Sequence, residues 1–228
     1  MNISELFFSI QGEGILSGVP SVFIRTSGCN LRCSWCDTPY TSWTPEGREV
    51  TLDEICAYVE EHTHGHVVFT GGEPLIAPEA AELTRRLRDL NQHITIETAG
   101  TVAPDGLECD LMSVSPKLAN STPHTRDGGR FALQHERLRT NLAALKRLTS
   151  EFEYQLKFVI ASPDDLDEIR ALAATLRAPA HRVLLMPEGT TADVLQERAA
   201  WVGEICKQEG FRFCPRLHIE LYGNRRGV

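Results

Sequence analysis

The chain has 228 residues, 42% of them hydrophobic and 24% charged, with seven cysteines and a net charge of −8. That is enough for one domain with a substantial core; no apolar run is long enough to span a bilayer, and Met1-Asn2-Ile3-Ser4-Glu5 lacks a secretory leader's pattern. An acidic chain without a long Lys/Arg run is poorly suited to grip a phosphate backbone, so a cytoplasmic protein acting on a small molecule is expected.

In chain order, Ile3 to Ile10 reads as an extended segment ended by Gln11-Gly12-Glu13-Gly14. Pro20 to Arg25 is a strand by its branched and aromatic residues. It leads into Cys29-Asn30-Leu31-Arg32-Cys33-Ser34-Trp35-Cys36-Asp37-Thr38, which holds three of the seven cysteines. Thr51-Leu52-Asp53-Glu54 opens a helix with a capping box. His66 to Thr70 is a buried strand stopping at Gly71-Gly72. A helix from about Pro78 to Leu90 follows, with Pro78 in its first turn. Strands come next at His93–Thr98 and Asp110–Val114, the second ending at Ser115-Pro116-Lys117. Asn120 to Arg130 is a polar loop able to cover a site, and Leu133 to Leu148 reads as one amphipathic helix. Tyr154–Ile160 is a strand, Pro163–Leu176 a helix capped by Ser162, and Arg182–Met186 a strand that ends at Pro187-Glu188-Gly189. Ala192–Gln208 is the last long helix, with Phe211–Phe213 and Leu217–Ile219 as short strands. With no linker or low-complexity tract, residues 1–228 are expected to form one domain.

Six strand–helix alternations imply an α/β fold with a parallel sheet and outer helices. Arg25, Thr70, Glu97, Ser115, Lys117 and Met186 fall at the carboxyl ends of successive strands. Those ends converge around one mouth only if the sheet curls; in an open doubly wound sheet only the switch point would gather a ligand. Six units are too few to close an eight-stranded barrel, so an incomplete (β/α)6 barrel with a lateral opening is expected.

The cysteines are spaced C-x3-C-x2-C. A structural zinc site needs four protein ligands, commonly as paired C-x2-C motifs, and the fourth is missing here. A 4Fe-4S cubane held by three thiolates, its fourth iron open, suits the spacing better; three packed cysteines are the bland reading. Other motifs also carry plain alternatives. Gly71-Gly72-Glu73-Pro74 reads equally as a strand-to-helix turn, Arg25 as half of an ion pair, Asp37-Thr38 as a helix cap, and Glu97 and Lys157 as buried, hydrogen-bonded groups. His62, His64 and His66 straddle a helix end and a strand start and are not read as a ligand set. Cys56, Cys109, Cys206 and Cys214 are read as packing residues, and Arg225 and Arg226 as a tail that is solvated or folds over the site.

The cysteine spacing, with Trp35 before the last thiol, resembles that of the radical S-adenosylmethionine (SAM) enzymes. Ile10-Gln11-Gly12-Glu13-Gly14, Arg25, Cys36-Asp37-Thr38, Thr70-Gly71-Gly72-Glu73-Pro74, Glu97-Thr98-Ala99-Gly100, Ser115-Pro116-Lys117 and Leu217-His218 to Tyr222-Gly223-Asn224 narrow the resemblance, over nearly the whole chain, to the 7-carboxy-7-deazaguanine synthases. The resemblance implies an incomplete barrel whose C-terminal extension closes over the site. It implies a 4Fe-4S cluster on Cys29, Cys33 and Cys36, and SAM at Trp35, Asp37, Gly72, Glu73, Ser115, Pro116, Lys117, Met186, Pro187 and Glu188. Glu73 is expected to meet the SAM amino group. Individual contacts in the Met186–Gly189 loop stay open, since it departs from the glutamine-proline form of some members. The pterin substrate is expected at Ile10, Gln11, Gly12, Arg25 and Thr70, and Mg2+ at Thr38. The implied reaction converts 6-carboxy-5,6,7,8-tetrahydropterin to 7-carboxy-7-deazaguanine with loss of ammonia, toward queuosine and other 7-deazapurines. A flavodoxin or ferredoxin would supply electrons to a homodimer. Two other readings stand beside it: another radical SAM enzyme, such as a glycyl-radical activase, and a zinc-binding module without turnover.

Overall fold

The computed structural model describes residues 1–228. Its strands are β1 (Asn2–Ile10), β2 (Pro20–Thr26), β3 (Arg48–Glu49), β4 (His66–Gly71), β5 (His93–Thr98), β6 (Leu111–Val114), β7 (Tyr154–Ile160), β8 (Val183–Pro187) and β9 (Arg212–Phe213). Its helices are α1 (Pro39–Ser42), α2 (Leu52–His62), α3 (Ala80–Asp89), α4 (Ala132–Leu138), α5 (Leu142–Glu151), α6 (Leu166–Thr175), α7 (Ala192–Glu209) and α8 (Leu217–Tyr222). The strands form one sheet in the order β3-β1-β2-β4-β5-β6-β7-β8-β9. From β2 through β9 all neighbours are parallel. The sheet does not close, as expected for a partial barrel.

The antiparallel β1 has a local cause. Only nine residues separate Ile10 from its partner Pro20, fewer than a helical crossover needs, and a hairpin is what a short connection allows. The Gln11 and Gly18 amides bond to the Val19 and Gln11 carbonyls at 2.8 and 2.7 Å, closing the turn.

Period-2 alternation divides the sheet into two environments. Val22, Ile24, Val67, Phe69, Ile94, Ile96, Met112, Val114, Leu156, Phe158 and Val183 belong to the 33-residue core shared with the helices. Their neighbours point the other way. Phe23 and Val68 pack with Phe7 in a small separate cluster, and Val159, Leu184 and Met186 pack with Cys214 in another. Between these apolar plugs the same face carries Arg25, Thr70, Glu97, Ser113, Gln155 and Lys157. Register sets Arg25 beside Thr70 and Glu97 beside Ser113.

Several boundaries differ from expectation. The predicted helix over 133–148 is two helices, because the Asn141 side chain accepts from the Ala144 amide at 3.2 Å and caps α5, while its own amide donates to the Thr101 carbonyl at 3.0 Å. Pro78 precedes the Glu79 N-cap of α3 instead of starting the helix, and Pro74 opens a short 3-10 turn (Pro74–Ile76). Leu217–Ile219 is not a strand but the start of α8; three alternating residues fit either period, and the Gly12 carbonyl takes the Leu217 amide at 2.9 Å. The capping boxes at Thr51/Glu54 and Ser162/Asp165 are present. No helix is long and apolar enough to cross a membrane. Replacing the α5 cap, Asn141→Ala, should cost about 1 kcal/mol, read as a lower urea midpoint with an unchanged m-value.

Candidate active site

A cavity of about 230 Å³ opens at the carboxyl ends of the parallel strands. The cysteine loop forms one wall. It leaves β2 at Gly28, whose amide bonds to the Thr41 carbonyl at 2.8 Å, while the Glu73 amide reaches the Gly28 carbonyl at 2.9 Å. Gly71 and Gly72 are needed for that approach. A Cβ on Gly72 would overlap the Gly28 carbonyl, and one on Gly71 (φ +144°) would meet the Thr26 backbone.

The loop is braced from outside. The Arg32 Nη1 donates to the Cys29 and Leu31 carbonyls at 2.6 and 2.8 Å, and Arg126 Nη1 donates to the Ser34 carbonyl at 2.8 Å. Trp43 Nε1 donates to the Cys33 carbonyl at 2.9 Å and Trp35 Nε1 to Asn120 Oδ1 at 3.1 Å. The polar segment 120–130, expected as a cover for the site, instead packs against the cysteine loop, and none of its residues lines the cavity. Inside, Cys29, Cys33 and Cys36 all line the cavity. Burial pushes the Cys29 and Cys33 thiols up to about 12; a bound metal reverses that preference because it holds the thiolate directly.

No three His, Cys, Asp or Glu side chains come close enough to share one metal ion. A zinc ion would need such a group. Thiolates that bind three different irons of one cluster stand apart around a larger object, so the residues fit a 4Fe-4S cubane.

The opposite wall is polar and charged. Glu97 accepts from Thr70 Oγ1 at 2.9 Å and from Gln11 Nε2 at 3.1 Å. Arg25 Nε lies 2.9 Å from Glu5 Oε2, which also accepts from Tyr40 Oη at 2.9 Å. Lys117 Nζ donates to Ser115 Oγ at 2.9 Å and sits 5.9 Å from the centre of the Trp35 ring. Deeper lies a continuous ion network in which Glu13 pairs with Lys157 and Arg216, and Arg216 pairs with Asp37. Lys157 and Arg216 side chains are each 7% exposed and Glu13 12%. Burial alone would raise both carboxyl pKa values. At Glu13 the nearby Lys157 and Arg216 charges outweigh it, and at Asp37 Arg216 does, so both carboxyls are held below the usual range.

Of the residues expected at the site, Ile10, Gln11, Gly12, Arg25, Trp35, Asp37, Thr38, Thr70, Gly72, Ser115, Lys117 and Met186 line the cavity with the three cysteines. Four do not. The Glu73 carboxylate is fully buried and taken by Thr98 Oγ1 at 2.7 Å and the Ala99 and Leu75 amides at 2.8 and 3.2 Å. It braces the turn, and of Thr70-Gly71-Gly72-Glu73-Pro74 only the threonine and the glycines reach the cavity. The Glu188 carboxylate is engaged by Arg198, and Pro116 and Pro187 are absent from the lining. Sequence reasoning gave no role to Glu13, Arg216 or His218 and left Lys157 without one. Residues 224–228 also line the cavity, and Arg226 stacks on Tyr40 and pairs with Glu46 at 2.9 Å, so the tail lies over the mouth. The histidines near the amino ends do not converge: His66 takes Ser21 and stacks on His93, His62 stacks on Tyr58, and His64 meets Phe8.

A partial barrel with three thiols and a polar wall at one mouth defines a radical SAM enzyme, and the radical SAM superfamily model matches residues 23–111. The chain is 47% identical over 227 residues to 7-carboxy-7-deazaguanine synthase of Rhodopirellula baltica, covering 99% of this chain and 88% of the relative. It is 45% identical to the protein of that name from Halobacterium salinarum, covering 97% and 90%. The crystal structure of QueE from Escherichia coli superposes with a TM-score of 0.69 at 27% identity, covering 95% and 94% of the two chains. The chain belongs to the 7-carboxy-7-deazaguanine synthase family.

Stability should report the ion network directly. A carboxyl with a depressed folded pKa stabilises above its unfolded pKa and loses that contribution as pH falls through the folded value. Glu13→Gln should lower the unfolding free energy by about 3–5 kcal/mol at pH 7, since it leaves Lys157 and Arg216 short of a partner. The gap between the two proteins should narrow below about pH 4, which urea melts at pH 7, 5 and 3.5 would read.

Proposed function

We propose that this radical SAM enzyme acts on 6-carboxy-5,6,7,8-tetrahydropterin and releases 7-carboxy-7-deazaguanine and ammonia, in the route to queuosine and other 7-deazapurines. The observation that carries the reading is the composition of the cavity's two walls: three thiols on one side, and an amide, a carboxylate and a guanidinium on the other. The hydrogen on ring carbon six of such a pterin is too weakly acidic for a histidine or carboxylate base. When bound, the cluster and SAM supply a hydrogen-abstracting radical instead.

The protein's own residues then bind and orient. Gln11 offers a donor and an acceptor to the pterin edge, and Glu97, held by Gln11 and Thr70, accepts from its amino-pyrimidine N–H groups. Arg25 keeps guanidinium N–H groups beyond its Glu5 contact for the substrate carboxylate. Ser115, Lys117, Met186, Trp35 and the backbone of Gly71 and Gly72 would hold SAM beside the cluster. The tail over Tyr40 would exclude water from the closed site.

Thr38 would hold Mg2+. Its hydroxyl lies 3.4 Å from Thr41 Oγ1 and 3.9 Å from Cys36 Sγ, a sparse donor set. That suits a cation that keeps water and substrate oxygens in its shell. A homodimer in the cytoplasm, reduced by a flavodoxin or ferredoxin, completes the reading.

The test is anaerobic incubation of the reconstituted, reduced protein with SAM and the carboxytetrahydropterin, with the product read by mass spectrometry; absence of the deazaguanine mass would defeat the substrate assignment. For the metal, Thr38→Ala should raise the Mg2+ concentration for half-maximal rate by about tenfold, equivalent to about 1.4 kcal/mol, while the iron–sulfur absorbance stays unchanged. An unaltered Mg2+ response would take Thr38 out of the metal site.

A further inference from the structure

The cysteine loop has a second, outer face. Cys29 lines the catalytic cavity, and it also lines a shallow depression on the outside, with Asn30, Arg32, Phe131, Gln134 and His135. Around that depression the surface departs from the acidic character of the chain. Segment 122–139 holds four arginines against two carboxylates, whereas the whole chain carries −8.

Most of these cations are not neutralised. Arg139 pairs with Glu136 and Glu168, but Arg32, Arg126, Arg130 and Arg137 lie in no ion pair. Three of them are held by aromatic faces instead. Arg32 and Arg130 lie 5.3 and 5.2 Å from the centre of the Phe131 ring, and Arg126 lies 4.1 Å from that of Trp43. Trp43 and Phe131 meet edge to face at 5.7 Å. Stacking of this kind fixes a guanidinium while leaving its charge free to act outward. Within the same segment Leu133 is 88% exposed, well above every other large hydrophobic side chain in the molecule.

We propose that this face is the docking surface for a small acidic one-electron carrier protein, a reading that rests on the radical SAM function above. An apolar centre with a cationic rim suits a transient partner that carries the opposite charge. Such contacts are small, and their charges set encounter rate and orientation more than tightness. The location also meets the chemical need. One electron leaves the carrier and one enters the cluster on Cys29, Cys33 and Cys36, and transfer weakens steeply with separation. The cavity side of the loop is reserved for SAM and substrate, so the outer face is the side from which a carrier can approach while both are bound.

The test compares wild-type protein, cluster loaded, with the double variant Arg130→Glu/Arg137→Glu and the single variant Leu133→Glu. Titration calorimetry with an oxidised, acidic flavodoxin gives Kd independently of turnover, at 50 and 200 mM salt. The double variant should bind about tenfold more weakly at low salt and lose most of its salt dependence. Leu133→Glu should also weaken binding, and Arg130→Lys/Arg137→Lys should restore it. Turnover driven by limiting reduced flavodoxin should fall with Kd, while turnover driven by dithionite stays at the wild-type rate. A Kd and flavodoxin-driven rate within twofold of wild type in the double variant would overturn the docking surface. So would an equal loss under dithionite, which would mean that these residues serve the cluster loop itself. Failure of the wild-type protein to cleave SAM under dithionite would be a failure of the radical reading, and the binding arm would still report on the surface.

Discussion

The ion network around Glu13 is the constraint on which the site depends. It joins four parts of the chain that no local rule would bring together: the hairpin turn after β1, the middle of β7, the segment before α8 and the end of the cysteine loop. Two buried cations and the buried Glu13 carboxylate, with the partly exposed Asp37 beside them, are costly to hold here, and they persist only when each is matched. Matching is satisfied here in one arrangement, with Arg216 bridging Glu13 and Asp37 and its Nη1 also engaged by the Gly189 carbonyl at 2.5 Å. The network therefore acts less as a source of stability than as a register. It fixes where the Gln11 turn stands relative to Cys36-Asp37-Thr38, and so the distance between the polar wall and the thiol wall.

The sheet makes such a network possible. In a parallel sheet covered by helices, one face of every strand joins the common core, and strands read as nearly continuous apolar runs. The other face of this sheet turns inward onto itself. Phe7 and Phe23, stacked at 4.9 Å between ring centres, fill it near the hairpin, and Leu184 and Met186 fill it near β8. Between them a strip stays polar from Arg25 through Thr70, Glu97 and Ser113 to Lys157. Most of these groups are engaged: Gln155 Nε2 donates to Ser113 Oγ at 2.7 Å, Glu97 accepts from Thr70 on β4 and from Gln11 in the turn after β1, and Arg25 and Lys157 face Glu5 and Glu13. A substrate entering this strip exchanges hydrogen bonds that already exist, and the cost of unpaired buried groups that penalises a wrong ligand becomes a source of selectivity.

How much of this could be read from the sequence follows from range. The six parallel strands, the Thr51/Glu54 capping box, the Ser162 cap and the clustering of special residues at strand ends were legible, because each rests on local periodicity or a motif a few residues long. The cysteine loop was legible for the same reason. Arg216 was not. It lies 203 residues from Glu13 and 179 from Asp37, and nothing in Cys-Pro-Arg-Leu distinguishes it from a surface arginine. The bracing contacts of Glu73 were hidden for a related reason. A carboxylate after two glycines at a strand end is a fair ligand candidate, yet three donors from the β5 end and its own turn claim it first. The break at Asn141 was also hidden, since the apolar period continues through it and only the cap decides.

The same logic explains why the cysteine loop is held mainly from its outer side. Its backbone carbonyls at Cys29, Leu31, Cys33 and Ser34 each accept from Arg32, Trp43 or Arg126, all of them on the side away from the substrate. Donors placed inside the cavity would compete with SAM and with the thiolates for space. Donors placed outside leave the sulfur atoms free to point inward, where the Lys117 ammonium is the one cation that favours the Cys29 and Cys33 thiolates against their burial. The chain thus separates two demands on one short loop: the cavity face is left for ligands, and the outer face carries the cations that hold the loop's shape.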